Sequence, residues 1–134
     1  MSRFLLALLL LAVPFVSVHA QFDHQHEAWS ALLKKHVVLI DGGKASQVRY
    51  AGMQQDRARL KAYLDSLSRI GGREFKGWTK DQQLAFLINA YNAFAVEKIL
   101  IRHPDIKSVW DFGKIFGNPF KDKFYPVRPR VLAR

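Results

Sequence analysis

Between Gln82 and Leu100 the chain reads Gln-Gln-Leu-Ala-Phe-Leu-Ile-Asn-Ala-Tyr-Asn-Ala-Phe-Ala-Val-Glu-Lys-Ile-Leu, which is apolar nearly all round yet carries two amides. A helix with that pattern is expected in the interior, where its amides need partners. Leu84, Leu87, Ile88, Tyr91 and Ala95 form one apolar stripe, and Phe86, Ala90, Phe94 and Ile101 cover most of the remainder. At about 100° per residue, Asn89 and Asn92 project roughly 60° apart and share one edge of the helix. Buried there, they are expected to bond the backbone of a neighbouring loop or strand, because an unpaired buried amide costs about 1–3 kcal/mol.

Thr79-Lys80-Asp81-Gln82 has the form of a capping box, so the helix should begin at Lys80. Pro104 ends it after His103. Upstream, Trp29, Leu32, Leu33, His36 and Val37 fall at helical spacing behind the polar stretch Gln21 to His26. Met53, Leu60, Tyr63, Leu64, Leu67 and Ile70 predict a second amphipathic helix over Met53 to Ile70, stopped by Gly71-Gly72. Between them, Asp41-Gly42-Gly43-Lys44 is a turn signal, and Val48-Arg49-Tyr50 suits a short strand. The Gly-Gly-Lys there lacks the spacing of a phosphate loop and the Ser or Thr that follows its lysine. The expected fold is therefore α+β and mainly helical: a long buried central helix packed by a second amphipathic helix and a few short strands.

The start of the chain obeys different rules. Arg3, the apolar run Phe4 to Val13 and then Val18-His19-Ala20 have the layout of a secretory signal peptide cleaved after Ala20. The run is shorter than the roughly 20 apolar residues of a membrane-spanning helix. The expected organisation is a leader at residues 1–20, a domain at 21–125 and an irregular basic tail at 126–134, with the product periplasmic or secreted. The chain has no cysteine, so disulfides, thiol nucleophiles and cysteine-based metal sites are excluded.

Lysines and arginines number 21 against 11 acids, a formal charge of +10. In an exported protein such a charge points to solubility or to anionic envelope components before nucleic acid. The basic residues are also scattered over several helical segments, as on a solvated surface.

Chemistry-bearing residues are few. Asn89, Tyr91 and Asn92 are candidates to line a ligand cleft, with His103 as a candidate base and Trp110 on an aromatic lip running from Val109 to Phe120. The plainer alternatives are structural amides, a histidine at a helix C-terminus and aromatics packed into the core. Asp23, His24 and His26 resemble a metal motif only weakly, since catalytic zinc wants three fixed protein ligands and these are expected on an extended arm; no metal or cofactor is assigned. Glu97 and Asp111 stand apart from other carboxylates and are expected to pair with Lys98, Arg102 or Lys114, so paired acid/base work has no support. No set of residues forms a catalytic constellation. The expected partners are a small molecule, peptide or glycan, with an anionic envelope component as a further candidate.

Phe22-Asp23-His24, Val48-Arg49-Tyr50-Ala51-Gly52, the run Gln83 to Phe94 with its Asn-Ala-Tyr-Asn-Ala core, and Ile106-Lys107-Ser108-Val109 resemble the family catalogued as domain of unknown function 547. The resemblance runs from about Phe22 to Phe124 and covers the front part of that family's pattern. It implies a back part with an Ile-Glu-His motif and a cysteine near Ser and Pro. Here the chain instead reads Pro126-Val127-Arg128-Pro129-Arg130-Val131-Leu132-Ala133-Arg134, and the expectation is a truncated form. By analogy with thiol hydrolases, an enzymatic family would place its catalytic groups in that back part. The resemblance thus implies either a non-catalytic binding domain or an inactive fragment of a hydrolase-like enzyme.

Overall fold

The structure is a computed structural model and describes residues 21–106. The expected leader at residues 1–20, the aromatic run with Trp110 and Asp111, and the basic tail at 126–134 lie outside the described residues. Within them the chain forms α1 (Glu27–His36), β1 (Val37–Ile40), a 3-10 turn (Asp41–Gly43), β2 (Ala45–Val48), α2 (Tyr50–Gln55), α3 (Arg57–Ser68), α4 (Gly72–Gly77) and α5 (Lys80–Arg102). The fold is mainly helical α+β, as the periodicity predicts.

α1 is set by the residues before it. The Asp23 carboxylate accepts hydrogen bonds from the backbone N–H groups of Gln25 (2.8 Å) and Glu27 (2.7 Å), satisfying donors that the first turn leaves open. The segment from Phe22 to His26 is consequently a packed, capped turn and not the extended arm expected from its polarity. Lys34, Lys35 and His36 occupy the last turn, where cations are favoured.

β1 and β2 pair antiparallel in the register Val37 with Val48 through Ile40 with Ala45. The turn between them holds Gly42 at φ 64° and Gly43 at φ 88°, conformations open to glycine at little cost. The turn falls where the sequence placed it, but the strand ends at Val48 and Tyr50 already begins α2.

The helix expected over Met53 to Ile70 is two helices. Asp56 stands between α2 and α3 at φ −96°, ψ 14°. Its side chain explains the break, because one carboxylate oxygen is held by both His36 Nε2 (2.7 Å) and Lys35 Nζ (2.6 Å) at the end of α1. The His36 ring fills the space above Gly52 so closely that a Cβ there would lie 2.8 Å from Nδ1.

α5 begins at the reciprocal Thr79–Gln82 capping box and runs to Arg102, with His103 as C-cap. Its buried face carries Phe86, Ala90, Ala93, Phe94 and Leu100 against Trp29 and Leu32 of α1, Met53 of α2, and Leu60, Tyr63 and Leu67 of α3. An aromatic cluster binds the chain start to the start of α5: Phe22 stacks on Trp78 with ring centroids 5.2 Å apart and meets Phe86 edge-on at 5.5 Å. The other face of α5 is open, with Leu84, Ile88 and Tyr91 about half exposed. The all-round burial expected for this helix is therefore realised in its second half, where Val96 to Leu100 are all buried, and on one side only in its first half.

Glu97, buried on α5, accepts a forked set of hydrogen bonds from the Arg57 guanidinium, Nη2 to Oε1 at 2.7 Å and Nε to Oε2 at 3.2 Å. The sequence suggested Lys98 or Arg102. The observed partner comes from forty residues upstream, on the first turn of α3.

Candidate functional site

Among the described residues, those proposed from sequence do not converge. Asn92 is exposed and donates from Nδ2 to the Ile88 carbonyl one turn back at 3.0 Å, a bond within α5 and not to a neighbouring loop. Asn89 is half-buried, and Tyr91, two residues on, projects from nearly the opposite side of the helix. His103 lies at the far end, its ring 6.3 Å from that of Tyr50. Together with the segment from Ser46 to Ala51 it borders a shallow recess of about 590 Å³. Trp110 lies outside the described residues.

The larger concavity is elsewhere. α1 and α3 run antiparallel and are joined by two histidines, His36 at the end of α1 and His26 just before its start. At one end His36 donates from Nε2 to Asp56, the carboxylate being an acceptor only. At the other His26 Nδ1 and the Tyr63 hydroxyl are hydrogen-bonded at 2.7 Å, the donor depending on the imidazole tautomer. Trp29 stacks on Tyr63 behind them, with centroids 5.9 Å apart and planes inclined by 6°. Alongside these joints the two helices meet the solvent through small side chains, Ala28 and Ala31 on α1 and Ala62 and Ser66 on α3. The result is a groove of about 980 Å³ floored by Leu32, Tyr63 and Ile70, the upper end of the size range for small-molecule sites.

The groove's electrostatics follow from what each charge already holds. Asp56 is pushed down to about 2, first by the hydrogen bond from Lys35 and then by that from His36. Asp23 is committed to the α1 cap. Burial lowers the pKa of His26 against the opposing field of Asp23, keeping the imidazole neutral, and raises that of Tyr63. The Tyr63 phenol is thus a neutral hydrogen-bonding group and not a nucleophile. Nε2 of His26 and Nδ1 of His24 are buried without hydrogen-bond partners. Among the described residues no cluster of three or more His, Asp or Glu side chains is placed to hold a metal ion.

Sequence reasoning missed this site because alanines carry no functional signature. One signal was present: Ala28, Ala31, Leu32 and Lys35 repeat the spacing of Arg59, Ala62, Tyr63 and Ser66, two small positions beside one apolar position and one polar one. Facing one another, two such helices leave a channel above a shared apolar floor.

No curated protein and no solved structure matches the chain. Residues 75–127 match the family model described as Protein of unknown function, DUF547. The match begins at Phe75, so the Asn-Ala-Tyr-Asn-Ala core lies inside it, while Phe22-Asp23-His24 and Val48 to Gly52 lie outside. Those outer motifs have a physical role all the same, as the cap of α1 and as the seat of the His36 ring. Over residues 75–127 the chain is thus similar to that family.

Proposed function

We propose that this protein is an exported, non-catalytic binding domain whose α1–α3 groove holds an elongated small ligand of peptide or glycan size. The groove itself carries the reading. It has an apolar floor, walls of small side chains that admit a ligand backbone, and charged groups at its two ends. A site that only binds needs this and no nucleophile. Export is supported by the leader layout of residues 1–20, and a mature N-terminus at Gln21, read by mass spectrometry of the protein isolated from its producing cell, is the expected result.

Isothermal titration of the full chain with three probes, tetra-alanine, maltotetraose and laurate, tests the groove. At least one should saturate at one per chain and be lost on Ala62→Trp, which places an indole across the channel at an exposed position. Circular dichroism of the variant should match the parent. Binding that survives Ala62→Trp, or the absence of binding by all three, overturns the reading.

A further inference from the structure

The two ends of the groove carry opposite charge, and from that polarity we infer that its ligand is a short peptide with free termini, bound in one direction. This rests on the groove being a binding site. At the end where α1 finishes and α3 begins, Lys35 and Arg59 face a single carboxylate, Asp56, and the balance is one positive charge. Asp56 is tied there through one of its oxygens, which serves both Lys35 and His36. At the other end, where the chain enters α1 and leaves α3, Asp23 and Glu74 face Arg69, and the balance is one negative charge.

The separation of the ends sets the ligand's length. Arg59 and Arg69 are ten residues apart, and Arg69 keeps right-handed helical backbone as the C-cap of α3, so they are separated by about 15 Å along its axis. An extended peptide advances about 3.3 Å per residue, so four or five residues bridge that distance. Its C-terminal carboxylate then lies by Arg59 and Lys35, and its N-terminal ammonium by Asp23 and Glu74. Ala28, Ala31 and Ala62 leave room for the peptide backbone, and Leu32 and Ile70 contact apolar side chains of the ligand. Arginine suits the carboxylate end because its planar fork matches a carboxylate's two oxygens.

Isothermal titration of the full chain with tetra-alanine and its capped forms tests the direction. Amidation of the C-terminus should weaken binding about two- to fivefold, the range of a partly exposed ion pair. On Arg59→Gln that sensitivity should disappear. N-acetylation should weaken binding by a similar factor, and on Glu74→Gln its effect should vanish. Free and doubly capped peptides binding equally well, with binding still lost on Ala62→Trp, overturns the direction and leaves the groove reading standing. Maltotetraose binding more tightly than tetra-alanine, again lost on Ala62→Trp, overturns the peptide and keeps the groove. Peptide binding unchanged by Ala62→Trp overturns both.

Discussion

Gly52 shows how one residue without a side chain fixes a joint between helices. A Cβ at that position would meet the His36 ring at 2.8 Å, and the ring is held by Asp56, so neither side can move away without breaking a bond. Gly52→Ala should therefore destabilise the fold by about 1–3 kcal/mol in urea unfolding, the cost of overpacking, and most of that loss should vanish when His36 is also replaced by Ala. At the opposite joint, Tyr63→Phe removes the partner of His26 Nδ1 and should cost about 1–3 kcal/mol, because the imidazole stays buried with an unsatisfied nitrogen.

The same joints give the molecule a pH response whose sign follows from the shifts. His26 has its folded pKa below the ordinary 6.5, so its contribution is whole above that value and declines as pH falls through it toward the lower folded value. Asp56, at about 2 in the fold against 3.8 ordinarily, contributes fully above 3.8 and loses that contribution as pH falls toward 2. Melting temperature measured from pH 8 to pH 3 should fall in two stages, and the first should be missing from His26→Gln. The Tyr63 hydroxyl, raised above 10, adds an alkaline limit: stability should decline above pH 10.

α5 divides into two faces with different tolerance. Phe86 is fully buried, and Phe86→Ala should cost about 3–5 kcal/mol; Asn92, exposed and bonded only within its own helix, should change stability by no more than about 0.5 kcal/mol as Ala. Thermal unfolding of the two variants side by side checks the contrast. Arg57→Ala leaves Glu97 buried without its forked partner and should cost about 2–3 kcal/mol, whereas Arg57→Leu with Glu97→Leu should cost less than the single change. Apolar spacing in the sequence located α5, and the capping box its first residue and its cap, since these are local. It did not show which face would be covered, because that depends on how many other elements the chain supplies. Nor did it reveal the Arg57–Glu97 pair: spacing arguments nominate neighbours three or four residues away, and this partner is forty residues distant.

At the scale of the molecule, what the sequence conveyed was the inventory of parts, and what it withheld was their facing surfaces. The helical spacing of Trp29, Leu32 and His36, the turn at Gly42-Gly43 and the capping box all stand in the structure where the residues placed them. The break at Asp56 was hidden because apolar spacing continues across it; only the convergence of Lys35 and His36 on one oxygen reveals it. The groove was hidden for a related reason. It is made by the alignment of Ala28 and Ala31 with Ala62, a relation between helices that neither shows alone.

The forked bond from Arg57 and the stacking of Phe22 on Trp78 have a consequence for anyone dissecting this protein. The stretch matched as a family begins at Phe75, but Phe86, Phe94 and Glu97 within it are enclosed by residues from 22 to 67. The stretch similar to the family and the unit that packs together are thus different lengths of chain. A fragment excised at Phe75 would present an aromatic surface and an orphaned carboxylate to water, and its solubility, not its affinity for anything, would decide what is observed.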